Sequence, residues 1–228
     1  MGISLNFISL FPMKNHPFSI LGLAAIGIAI ALTSCGSDHP EPEPVKVHTA
    51  SGGALAYFAG GCFWCIESDF EHVAGVSEVV SGYGGADMLN PTYENHGDHA
   101  EIVEIRYDPS KVTYAELVDT FWKTIDPFAV NRQFCDSGRA YRSAIFYSNA
   151  TEQEIARSTK TTLEKRFGKP IATEISAHEK FWIAEGYHQD YYKKNPLRYK
   201  YYRNACGRDN RVKEIWGDEA GGLSSHYQ

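Results

Sequence analysis

Residues 60–67 read Gly-Gly-Cys-Phe-Trp-Cys-Ile-Glu, and the sulfurs of Cys62 and Cys65 are the groups in this chain best suited to chemistry. A Cys-x-x-Cys can be half of a zinc site, a dithiol that cycles to a disulfide, or one nucleophile with an incidental neighbour. The residues before it, Ala54 to Gly60, form a short apolar strand candidate. Those after it carry Phe63, Ile66, Phe70 and Val73 at helical spacing before Gly75. Cys62 therefore falls in the first turn of a helix, where unpaired backbone N–H groups and the positive dipole end face its sulfur. That position is expected to lower the thiol below its ordinary ionisation range and make Cys62 the better nucleophile. Cys65, one turn further in, gains less. A zinc site needs a second ligand pair at regular spacing. Cys135 and Cys206 stand alone, and His96 and His99 lie in a loop without a matching cysteine pair, so no metal is expected.

The elements that must hold this pair can be read outward from it. Val76 to Tyr83 has alternating character, and a loop rich in Gly, Asn and Pro runs from Gly84 to Asp98. Glu101 to Pro109 alternates strictly, as a half-buried strand does. Thr113 and Glu116 make a capping box at the head of a helix, and Thr151 with Glu154 suggests the same for a second, longer one. Arg142 to Ser148 is a further strand and Ala172 to Ile175 a last one. The order βαββαβ followed by αβ predicts an α+β fold: a ferredoxin-like, split βαβ two-layer sandwich with a mixed sheet and a loop-rich C-terminal tail.

At 228 residues, 43% hydrophobic and 22% charged, the chain can bury one catalytic-size core. A formal net charge of -6 gives no basic excess for nucleic acid. Met13 to Cys35 reads as an export signal: Lys14 and His16, an apolar run from Phe18 to Leu32, then Leu-Thr-Ser-Cys, which resembles the lipobox of bacterial lipoproteins with Cys35 as the acylated residue. Met13 is the expected start. Residues 36–53 carry three prolines among alternating acids and read as an extended tether of roughly 3 Å per residue. The domain expected from 54 to 228 would thus sit at the cell envelope, anchored to a membrane rather than spanning it. In such an oxidising compartment free thiols tend to pair.

Five stretches then bear on the chemistry together: Gly61–Trp64, Ser81–Gly85, Asn90–His96, Gly97–Pro109 and Asp136–Tyr147. In order and register they resemble the peptide methionine sulfoxide reductase A family, from about Gly60 to about Pro196. The resemblance implies reduction of the S epimer of methionine sulfoxide in proteins and peptides, without cofactor or metal. It makes Cys62 the nucleophile, Glu101 the acid, Tyr93 and Tyr141 the hydroxyls that hold the oxygen, and Asp136 an orienting carboxylate. Sulfoxide reduction itself demands a nucleophile at sulfur and an acid for the departing oxygen, and burial would raise Glu101 enough to donate at neutral pH. Of Phe63 and Trp64, both candidate walls for the substrate methyl group, Trp64 is expected in the site and the other in the core.

Attack leaves Cys62 as a sulfenic acid, which a second thiol must resolve. Family members often carry that thiol in the C-terminal tail, so Cys206 is the first choice. Cys65 stands where the family usually has glycine and could resolve instead, or relay to Cys206. Cys135 is expected as a small buried residue. A thioredoxin-like donor would return the electrons, and a monomer is expected. The tyrosine-rich stretch Tyr187 to Asn204 is assigned no role, and no serine nucleophile accompanies the histidines. A thioredoxin-like thiol–disulfide oxidoreductase using Cys62 and Cys65 is the alternative reading.

Overall fold

A computed structural model describes residues 52–222. The signal segment, the tether through Ser51 and the last six residues lie outside the described residues. In chain order the elements are β1 (Ala54–Gly60), α1 (Phe63–Glu71), β2 (Val76–Gly84), β3 (Ala100–Tyr107), α2 (Tyr114–Trp122), β4 (Arg132–Gln133), β5 (Asp136–Ser137), β6 (Ser143–Tyr147), α3 (Ala150–Phe167), β7 (Glu174–Ala177), β8 (Phe181–Ile183), α4 (Tyr191–Lys194), α5 (Pro196–Ala205) and α6 (Arg208–Trp216).

Six strands form one sheet in the order β7-β6-β1-β3-β2-β8. Within it, the pairs β6–β1, β1–β3 and β3–β2 are antiparallel. The units β1-α1-β2 and β3-α2-β6 each straddle a strand of the other, which is the split βαβ arrangement. A parallel β7 and an antiparallel β8 extend the edges, so the sheet is mixed. β4 and β5 form a separate hairpin.

Strand periodicity of two decides which side chains meet the helices. On one face Phe58, Tyr83, Val103 and Ile105 pack with Phe63, Ile66 and Phe70 of α1 and Leu117, Val118 and Phe121 of α2. Glu101 lies two residues before Val103 and so shares that face. Tyr57, Ala59, Ala100, Ile102, Ala144 and Phe146 form a smaller core on the other face. β3 is therefore buried on both sides over most of its length, not half-buried as its alternation predicted, because it lies in the middle of the sheet.

Three other expectations change. The last predicted strand lies at Glu174–Ala177, and β8 was not foreseen. α3 begins at Ala150, capped by Asn149, whose side chain accepts from the amide of Glu152. Glu152 in turn accepts from the amide of Ser148 at 2.7 Å, so the cap sits two residues before the predicted box at Thr151 and Glu154. The C-terminal tail is not loop-rich: α4, α5 and α6 fill it and bury Tyr199, Arg203, Arg208, Val212 and Trp216.

Candidate active site

The chain passes from β1 into α1 through Gly60 and Gly61. Gly61 has φ +83°, and a Cβ there would lie 2.5 Å from Cβ of Gln133; one on Gly60 would lie 2.4 Å from Cδ1 of Ile66. Only glycine fits this close approach. Cys62 is the residue that caps α1, its carbonyl accepting from Cys65 N at 3.1 Å.

Cys62 and Cys65 are both free and buried, and their sulfurs are hydrogen-bonded to each other. The expected lowering of the Cys62 thiol does not hold: burial, then the hydrogen bond to Cys65, pushes it up. Cys65 moves down instead, chiefly because Cys62 donates to it. The helix N-terminus is outweighed by desolvation, and the pair is best regarded as one dithiol sharing one charge.

Glu101 faces this pair from β3. Its Oε2 accepts from Phe63 N at 2.9 Å, and burial pushes the carboxyl up to about 8, so it is protonated at neutral pH. The helix start that holds the thiol thus also orients the acid. Tyr93 and Tyr141 are hydrogen-bonded to each other, and Glu101, Asp136 and Cys62 are close enough to act on Tyr141 electrostatically. Tyr202 of α5 donates to Asp136 Oδ2 and also meets Cys62. The structure brings Cys62, Cys65, Glu101, Tyr93, Tyr141 and Asp136 together.

Phe63 is core, 1% exposed against Tyr83 and His188. Trp64 is half-buried, stacked on Tyr191 with ring centroids 3.7 Å apart. Its Nε1 donates to Nδ1 of His188 at 3.0 Å, which fixes that ring as an acceptor. Burial pushes His188 down to about 4, so it stays neutral. Glu185, from the same segment, accepts from the Tyr83 hydroxyl and the Tyr93 amide, both at 2.9 Å. One short stretch thereby anchors the indole wall and the tyrosine loop.

Cys206 stands apart from this dithiol. It is disulfide-bonded to Cys135, with Cα atoms 4.8 Å apart. Cys135 is exposed rather than buried as expected, because the β4–β5 turn brings it to the surface beside the end of α5. In this state Cys206 carries no thiol, and Cys65 is the sulfur beside Cys62.

The peptide methionine sulfoxide reductase family profile matches residues 54–220. The chain is 50% identical over 173 residues to the peptide methionine sulfoxide reductase MsrA 2 of Rhizobium meliloti, covering 75% of this chain and 87% of that protein. This chain belongs to the peptide methionine sulfoxide reductases. It is also 44% identical to the MsrA of Bacillus subtilis, over 72% of this chain and 96% of that one. Among solved structures it is similar to methionine sulfoxide reductase A of Corynebacterium diphtheriae, with a TM-score of 0.60 and 33% identity over 69% of this chain and 84% of that chain. The reduced form of Mxr1 from Saccharomyces cerevisiae gives a TM-score of 0.60 at 30% identity, over 63% and 86%. The family match spans every residue of the site, including those the sequence did not reveal: Tyr202, His188 and Glu185. Tyr-His-Gln-Asp at 187–190 was the visible signal for His188 alone, and that ring anchors the Trp64 indole.

Proposed function

We propose that the chain reduces the S epimer of methionine sulfoxide in proteins and peptides. The observation that carries this reading is a buried, protonated Glu101 held by the amide of Phe63 next to a buried cysteine pair. Cys62 attacks the sulfoxide sulfur as its proton passes to Cys65, and Glu101 protonates the oxygen, which Tyr93 and Tyr141 hold. The S–O bond of the substrate breaks as its hydroxyl passes to the Cys62 sulfur, the transient bond between the two sulfurs breaks with it, and methionine leaves with Cys62 held as a sulfenic acid. Cys65 attacks that sulfur, water departs, and a Cys62–Cys65 disulfide forms. The substrate has gained the two electrons that the dithiol has lost.

Trp64 supplies the apolar wall for the substrate methyl group, opposite the hydroxyl and carboxyl groups, and that asymmetry selects one epimer. An external dithiol of the thioredoxin type restores the pair. The apolar run before Cys35 supports export as a membrane-anchored lipoprotein acting as a monomer at the cell envelope. Burial of both sulfurs opposes the alternative of a general disulfide oxidoreductase, which must meet large substrates. The test is turnover of the separate epimers of a blocked methionine sulfoxide with dithiothreitol. The S epimer alone should react, and Cys62→Ser and Glu101→Gln should each abolish turnover. Reduction of insulin disulfides that persists in Glu101→Gln, without sulfoxide turnover, would favour the oxidoreductase.

A further inference from the structure

The rear of α1 holds charges that the reaction as drawn leaves unused. Asp69 lies one helical turn behind Cys65 on the same face, and two guanidinium groups reach it from the C-terminal helices. Arg203 of α5 lies 2.8 Å from Asp69 Oδ1, and Arg208 of α6 holds Nε 3.7 Å from Asp69 Oδ2. Arg208 also donates to the carbonyls of Gly60 at 3.2 Å and Thr124 at 3.0 Å, so it runs beneath the turn that carries Cys62. Both arginine side chains are 2% exposed and Asp69 is 1% exposed. Asp209, the other anion on Arg203, is 18% exposed; its Oδ1 accepts from Arg203 and its Oδ2 is buried.

Arg203 is thus matched by two carboxylates, whereas Arg208 hydrogen-bonds only to backbone carbonyls and meets Asp69 at 3.7 Å, and a buried charge without a close partner is costly. Arg208 Nε and Asp69 Oδ2 have no hydrogen-bond partner. A thiolate in the adjacent dithiol is an anion that the loosely matched Arg208 favours. We propose that Arg203 and Arg208, gathered on Asp69 behind Cys65, are positioning residues that hold the Cys62–Cys65 pair as a single shared anion at neutral pH. Both arginines favour the Cys65 thiolate, after the hydrogen bond from Cys62. From the other sides the pair faces Glu101 of β3, which is protonated, the Tyr202 hydroxyl, whose ionisation burial pushes up, and the ring of Tyr199. Asp69 itself opposes the Cys65 thiolate from behind, less than the two arginines favour it, and Asp136 on the other side is occupied by Tyr202.

The inference rests on Cys65 as the resolving sulfur. The shared charge moves to Cys62 with one proton transfer for attack, and the arginines then favour the Cys65 thiolate that closes the disulfide. The test is the pH dependence of iodoacetamide alkylation of the reduced full chain, read by mass spectrometry on the peptide holding Cys62 and Cys65. Arg208→Gln should raise the midpoint by about one unit and slow alkylation at neutral pH about tenfold. Arg208→Lys should stay near the parent, and Asp209→Asn, which keeps an oxygen for Arg203 and removes the negative charge, should lower the midpoint. A folded Arg208→Gln with an unmoved midpoint, or an upward shift in Asp209→Asn, overturns the proposal. Since the readout needs no turnover, sustained turnover in Cys65→Ser would sink the resolving assignment alone and leave the midpoint shifts standing.

Discussion

At the scale of single residues, Glu101 is where burial becomes reactivity. Its carboxyl rises from 4.5 to about 8, with burial the largest cause and the Phe63 amide opposing it. The acid form is therefore present below about pH 8 and lost above it, so turnover should decline as pH passes through that value. The same shift has a stability sign. A raised folded-state pKa means the native protein binds the proton more tightly than the unfolded chain, so stability falls as pH rises from 4.5 toward 8. At neutral pH the deficit is on the order of 3 kcal/mol, an upper figure. Glu101→Gln keeps an oxygen for the Phe63 amide and removes the titration. It should be inactive yet more stable than the parent at neutral pH, with a flatter dependence of urea midpoint on pH; a less stable variant would show that the carboxyl is not buried as an acid.

At the scale of elements, the turn from β1 to α1 sets the whole site, and the sequence advertised it. Gly61 needs positive φ and sits against Gln133, whose side chain holds the backbone of Asp126 through two hydrogen bonds. Gly61→Ala should destabilise by roughly 1–3 kcal/mol and raise Cys62 alkylation by loosening the pocket, measured by urea melts and labelling rates. No loss of stability would mean the turn relaxes freely. β1, β2, β3 and β6 were readable because apolar runs and alternation are local signals. The box at Thr113 and Glu116 was readable for the same reason, both of its hydrogen bonds being present. The start of α3 was misplaced because Asn149 with Glu152 and Thr151 with Glu154 satisfy the same local rule, and packing chooses between them. α5 and α6 were misread because their buried groups are largely tyrosine and arginine. Arg203 and Arg208 are buried against Asp69, a partner in the first helix that no local pattern reveals. Tyr202 was missed for the same reason, since its partners Asp136 and Cys62 come from two distant elements.

At the scale of the whole molecule, the described cysteines divide into a buried free pair, to which we assign the chemistry, and an outer pair that joins two segments 71 residues apart. The outer bridge ties the β4–β5 turn to the end of α5, and so holds Asp136 against Tyr202 across the site. Closing a loop of that length stabilises by about 4 kcal/mol on the chain-entropy account, with measured losses of roughly 2–4 kcal/mol. Cys135→Ser combined with Cys206→Ser should lower stability by that amount and still turn over repeatedly with thioredoxin as the reductant, because Cys65 remains to resolve Cys62 into a disulfide that thioredoxin can reduce. The substrate KM should rise, since Tyr202 and Asp136 lose their tie. If instead the double variant stops after one turnover with Cys62 trapped as a sulfenic acid, Cys206 is the resolving thiol after all, and the outer bridge must open in every cycle. The two outcomes separate cleanly because a structural bridge changes melting and affinity while leaving the number of turnovers unlimited, whereas a resolving cysteine limits that number to one.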